Sequence, residues 1–225
     1  MQVKYHIYSD DKRELNEHFI VKFDEPVTNT EDNPAWTELT FEQCENCPLT
    51  TEKHCPLAVT LHPIINKLGH LRSFIHVTAE IELEDKTLTI KADAQDLIGS
   101  LMGLIFSSSD CPHTQPFRPM GRYHLPLASI DETFYRVASM YALGQLFRYH
   151  EGLSVDIQFK GLEDIYQNIS KVNSGIVKRI KTAAKDDATL NAVAILDALA
   201  QFIPSTLEDG LEDLKPLFSA YLEAN

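Results

Sequence analysis

The run Ser73-Phe-Ile-His-Val-Thr-Ala-Glu-Ile-Glu82, followed after a short polar break by Thr87-Leu-Thr-Ile-Lys-Ala92, decides the fold of this chain. Both runs alternate, the first with Phe74, His76, Thr78, Glu80 and Glu82 on one side. A period of two marks a strand with one face on a core. Glu84-Asp85-Lys86 supplies the turn, so the pair reads as an antiparallel hairpin. The period then changes. Ala94, Leu97, Ile98, Leu101, Leu104 and Ile105 recur at helical spacing, and the helix they define is expected to end before Ser107-Ser-Ser-Asp110-Cys111.

The same order stands upstream. Residues 3–8 and 18–23 alternate around the polar stretch from Ser9 to Glu17, and read as a first hairpin. Residues 26–35 form a loop rich in Pro, Asn, Thr and Asp, and the single tryptophan, Trp36, is expected to anchor the core beside the segment that follows. Pro56 opens an apolar stretch that Pro63 interrupts, which predicts a kinked helix or two short ones ending at Gly69. Cys55 takes the N-cap position and Pro56 the first helical one. The first half therefore runs β-β-α-β-β-α, with both hairpins in one sheet against two helices.

Downstream the pattern is helical throughout. Residues 107–128 contain four prolines and cannot form one long helix. A connector this long inside a compact chain usually has a task. Ser129-Ile-Asp-Glu132 reads as a capping box for a helix to about Tyr149, with Phe134, Val137, Tyr141 and Leu146 inward. Leu162, Ile165, Tyr166, Ile169, Val172, Ile176 and Ile180 make the clearest amphipathic stripe. Ala188 to Phe202 is apolar around most of its circumference and is expected to be central, stopped by Pro204, with a short last helix from Leu211 to Leu222. The fold class is α+β: an antiparallel-sheet unit over residues 1–110, a connector over 111–128 and a helical bundle over 129–225.

Four cysteines stand out against this frame. Cys44-Glu-Asn-Cys47-Pro places two thiols on one turn, Cys55-Pro follows eight residues later, and Asp110-Cys111-Pro comes far downstream. In a cytosolic chain such thiols serve as metal ligands or redox groups more often than as structural disulfides. Thiolates select Zn2+ or an iron–sulfur cluster over hard cations. Pro48 stands where a zinc knuckle favours Gly, a second Cys-x2-Cys is missing, and so is the full ferredoxin run. Zinc, an iron–sulfur cluster and metal-free thiols therefore all remain open, with His54 and His113 placed to replace a ligand. If Cys44, Cys47, Cys55 and Cys111 do share one ion, it ties the N-terminal loop to the connector. A functional cleft is then to be sought along residues 111–136.

That region is rich in cations. His113, Arg118, Arg122, His124, Glu132 and Arg136 crowd it, and Arg118, Arg122 and His124 are the candidate ligands for a small anion. The alternative is that Arg118 and Arg122 pair with acids of the N-terminal part and lock the connector down. His76, on a strand, reads as a satisfied histidine.

Composition narrows the function classes. A share of 44% hydrophobic and 24% charged residues is that of an ordinary globular protein. No apolar run reaches the roughly 18 residues that a membrane span needs, and Met1-Gln-Val-Lys-Tyr-His carries no secretion signal, so a cytoplasmic location is expected. A net charge of −13 argues against general nucleic-acid binding, since phosphates seek basic grooves. Residues 1–55 hold 12 acids against 5 Lys/Arg, a solvated surface or a docking face for a basic protein partner. Gly-rich phosphate loops, His-Glu-x-x-His and Gly-x-Ser-x-Gly are absent, and no His-x-Glu precedes the cysteines as a zinc deaminase requires.

Cys44-x2-Cys47-Pro-Leu, Cys55-Pro, Asp110-Cys111-Pro and Pro119-Met-Gly-Arg-Tyr-His-Leu-Pro-Leu-Ala-Ser-x2-Glu132-Thr together resemble an uncharacterised family of bacterial proteins of about this length. The resemblance implies a bacterial cytoplasmic origin and no particular activity. The residues themselves point to a metal-binding protein, zinc foremost, with an interaction or regulatory role. The alternative is a metal- or iron–sulfur-dependent enzyme or redox sensor that holds an anion near residues 111–136.

Overall fold

The computed structural model describes residues 2–10, 14–23 and 33–223. Strands β1 (Gln2–Tyr8), β2 (Asn16–Lys22), β3 (His76–Glu82) and β4 (Thr87–Asp93) form one antiparallel sheet in the order β2-β1-β3-β4. The register aligns Phe19 with Tyr5, Tyr5 with Ile81 and Ile81 with Leu88, which makes one apolar row across all four strands. The opposite face is polar. There Lys4 pairs with Glu82 at 2.7 Å, and the His6 and His18 rings stack at 4.1 Å. Both hairpins thus form as the alternation predicts, although residues 73–75 lie outside β3. His76 sits at the sheet edge against Asp93, 2.7 Å away. Most of the expected loop 26–35 lies outside the described residues.

Helix α1 (Pro56–Leu68) starts at Cys55 and keeps Pro63 inside one continuous helix. Proline there costs the bond its own nitrogen cannot make and crowds the carbonyl of Val59, about 3 kcal/mol in all. Seven of the helix's side chains are buried, among them Leu57, Leu61 and Leu68, and these contacts offset that loss. Helix α2 (Ala94–Ser108) outruns its expected end. The Ser107 and Ser108 hydroxyls donate to the carbonyls of Leu104 and Ile105 at 2.7 and 3.1 Å, so polar residues continue the last turn from inside the core.

The connector folds into a 3-10 turn, Gln115–Phe117, and the short helix α3 (Arg118–Arg122). Gly121 allows α3 to lie on α2: a Cβ there would stand 1.9 Å from the Ser107 hydroxyl. Helix α4 (Ile130–His150) begins with the expected capping box, Ser129 accepting from the Glu132 amide at 3.1 Å and Glu132 from the Ser129 amide at 2.8 Å. Its inward residues are Phe134, Val137 and Tyr141, but Leu146 is 48% exposed, against expectation. Leu143 and Phe147 are exposed as well, so apolar residues surround this helix and periodicity alone does not choose its buried face.

Helix α5 (Lys160–Ala183) buries its stripe as read, with Ile165 only half covered. Helix α6 (Ala188–Ser205) includes Pro204 and packs on α5 and α2. It is not the central helix. α2 is, lying between α6 and the sheet. Past Thr206 come α7 (Leu207–Leu214), a 3-10 turn at Lys215–Phe218 and α8 (Ser219–Leu222), in place of the single expected helix. Two apolar cores result. One joins the sheet, α1 and α2 to Val172–Ile180 of α5 and Ala188–Val193 of α6. The other gathers Phe134, Val137 and Tyr141 around Tyr166, Ile169, Ala200 and Ile203. α5 and α6 run through both, so the two halves of the chain are packed by shared helices.

Candidate functional site

The Cys44–Cys47 turn closes with the Cys47 amide donating to the Cys44 carbonyl at 3.0 Å. Helix α5 is its platform. The Cys44 thiol faces the Val172 carbonyl at 4.0 Å, Asn46 donates to the Asn168 side chain at 2.9 Å, and Lys171 pairs with Glu45 at 3.0 Å. A Cβ on Gly175 would stand 2.7 Å from the Cys44 sulfur, so the close approach depends on glycine. Arg179, 1% exposed, holds the strand of chain before the turn: it donates to the carbonyls of Trp36, Glu38 and Leu39 at 2.7, 2.8 and 3.0 Å.

Cys55 is buried at the N-cap of α1, its amide donating to the Thr37 carbonyl at 2.8 Å. Cys111 is buried at the head of a second tight turn, where the Thr114 amide donates to its carbonyl at 3.0 Å. That turn reaches the first one directly. The His113 Nε2–H donates to the Asn46 carbonyl at 2.7 Å, between Cys44 and Cys47. His54, 3% exposed, sets its Nδ1 against the Thr37 hydroxyl at 2.9 Å. Both histidines near the thiols thus have other partners.

No disulfide joins any two of the four cysteines. Burial pushes the Cys44 thiol up to about 12, and the fields of Cys55, Cys111 and Cys47 add to it, while Arg179 opposes them. Burial pushes Cys111 to about 11 against the amides of His113 and Thr114, with Cys55 and Cys47 again raising it. Cys44 and Cys111 are thus both raised in part by the neighbouring thiols. Among the described residues, no three His, Cys, Asp or Glu side chains already stand in a metal-holding group. Four soft donors from three distant segments nonetheless match zinc or an iron–sulfur cluster in chemistry.

The proposed anion ligands are placed differently. Arg122 is exposed and pairs with Glu84 at 3.0 Å, with its guanidinium over the Tyr123 ring at 5.5 Å. Neither Arg122 nor Arg118 lines the nearby cavity, whereas His124 does. Burial, aided by Arg136, pulls His124 down to about 4, so the ring is neutral at physiological pH; its Nε2 meets the Tyr5 hydroxyl.

The cavity has a volume of about 470 Å³ and lies between α2, the connector, α4, α5 and α6. Asp96, Gly99, Ser100 and Gly103, at helical spacing, form its α2 wall. Leu127, with φ of +53°, lines it from the connector. The sequence places Arg136 in the cationic cluster but gives Tyr166 and Asn173 no role. The signal was present for Asn173, a polar residue inside the 162–180 stripe.

Sheet and helices together define an α+β protein in which the Cys111 turn of the connector meets the Cys44–Cys47 turn through the His113–Asn46 bond, with Cys55 and Cys111 buried and Cys44 and Cys47 partly so. The chain belongs to the family described as Domain of unknown function (DUF6901), whose model matches residues 4–219. No curated protein and no solved structure matches the chain.

Proposed function

We propose that this is a metal-binding protein in which Cys44, Cys47, Cys55 and Cys111 hold one zinc ion, and that the ion's role is structural. The observation that carries the reading is the His113–Asn46 bond, 2.7 Å long, which brings the Cys111 turn onto the Cys44–Cys47 turn. Chain segments 67 residues apart are joined there, and thiolate bonds to one ion would add to that closure. Four thiolates complete a tetrahedral zinc site and leave no position for a substrate. The protein's work is then interaction or regulation, through an acidic surface with a net charge of −13, not turnover at the metal.

Elemental analysis of protein purified under reducing conditions tests this. About one zinc per chain is expected, lost in Cys47→Ser together with stability. Four freely titrating thiols in metal-free protein of unchanged stability would overturn the reading. Iron with acid-labile sulfide and visible absorbance would reassign the same ligands to a cluster.

A further inference from the structure

The cavity carries features that the thiol group does not use. Arg136 is half-buried on its wall, and its Nη2 donates to the carbonyls of Met120 and Tyr123 at 2.7 and 3.0 Å. Among the described residues it forms no ion pair with a carboxylate; nearby Glu132 is engaged by the Ser129 amide at 2.8 Å. Its hydrogen-bond acceptors are neutral carbonyls, and the field of Glu132 offsets its burial only in part, so the guanidinium favours an added anion. Burial accordingly pushes its pKa down.

The surroundings restrict that anion. Tyr166 is buried beside Arg136, and burial keeps its phenol protonated as a donor. His124 is neutral, and Asp96 stands on the α2 wall, so a doubly charged group would meet one cation and an acid. A monoanion matches better than a phosphate. Most of the rest of the wall is apolar, with Ser100, Ser107, Thr133 and Asn173 as its further polar residues. Ile195, Leu196 and Leu199 of α6 remain only half-buried because they face this space. Gly99 and Gly103 let α6 approach α2 closely at the edge of this space: a Cβ on either would stand 3.6 Å from Ala192 or Leu196. Asn173, 1% exposed, is also among the lining residues; its Nδ2 donates to Asp197 at 3.2 Å, and its buried Oδ1 has no hydrogen-bond partner among the described residues.

We propose that this cavity binds a small monocarboxylic acid with an apolar body, the carboxylate on Arg136 and Tyr166 and the body along the apolar lining of Leu104, Phe117, Met120 and Leu199. At 470 Å³ the space suits a small organic molecule. The site is separate from the thiol group and does not depend on the identity of a metal.

The test is isothermal titration of the intact protein with sodium octanoate, with octan-1-ol and octyl phosphate as probes of the same chain length. Octanoate is expected to saturate one site, and both other probes to bind at least about tenfold more weakly. Arg136→Gln is expected to weaken octanoate about tenfold to a hundredfold, and Arg136→Lys much less. Gly103→Leu adds a side chain to the cavity lining beside Leu196, whose methyl an added Cβ would meet at 3.6 Å. It is expected to abolish binding in a folded protein. Should Arg136→Gln fail to fold, Gly103→Leu and the comparison of probes still decide. Octan-1-ol binding as tightly as octanoate would overturn the proposal. So would full octanoate binding in Gly103→Leu or in folded Arg136→Gln, or no octanoate binding at millimolar concentration.

Discussion

Arg179→Met isolates what positions the cysteine loop. The guanidinium is 1% exposed and serves three backbone carbonyls, those of Trp36, Glu38 and Leu39. Methionine keeps most of the volume and removes every donor. The bond to Leu39 is fully buried, so its carbonyl would be left without water; that costs about 2 kcal/mol. The other two lie nearer the surface and can recruit solvent, at about 1 kcal/mol each. The expected loss is about 4 kcal/mol, a large share of the roughly 5–15 kcal/mol that holds a domain folded. In a chain of this size it corresponds to a fall in Tm of about 8–16 °C. Urea denaturation gives the free energy, and the emission of Trp36, the chain's one tryptophan, reports the loop itself. A red shift of Trp36 at urea concentrations below the global transition is expected. A loss under about 1 kcal/mol with unchanged emission would refute the claim that Arg179 holds this segment.

Two further perturbations follow from the packing and the charges. Gly121→Ala puts a methyl 1.9 Å from the Ser107 hydroxyl and 2.8 Å from Phe23, so α3 must lift from α2; about 2–3 kcal/mol of stability should be lost, and Ser107→Gly in the same chain should restore part of it in urea melts. His124 has a folded pKa of about 4, below its ordinary value of 6.5, so the unfolded chain binds the extra proton first. Its contribution is complete above pH 6.5 and declines as pH falls towards 4, by roughly 3 kcal/mol at most. His124→Gln should flatten the stability profile in that window, and an unchanged slope would show that the ring is solvated.

The sheet was legible because each strand has one wet face: the row Phe19, Tyr5, Ile81 alternates with charged neighbours, and period two follows directly. α5 was legible for the same reason in helical form, as was the Ser129 capping box, whose two bonds are local. Where residues satisfy two environments, the pattern misleads. α6 is apolar nearly all round, which suggests a central helix, yet Ile195, Leu196 and Leu199 face the cavity and are not fully buried. α4 likewise carries exposed Leu143, Leu146 and Phe147 opposite its packed face. The serines of 107–109 look like a helix stop, but each hydroxyl finds a carbonyl three residues back. The cationic cluster was visible as composition only. Which arginine turns inward depends on contacts such as Glu84 with Arg122, 38 residues apart, and no spacing rule reaches that far.

One turn of α5 faces two ways. The Val172 carbonyl and Gly175 lie against the Cys44 sulfur, while Asn173 between them lines the cavity. Side chains at these neighbouring positions answer to different surroundings, so substitutions there are limited from both flanks. Any group larger than hydrogen at 175 strikes sulfur, and a bulkier one at 173 takes up cavity space. Drift in this turn is therefore narrower than burial alone would set, and random mutagenesis of residues 172–175 should return fewer folded variants than the equally buried stretch around Ile180.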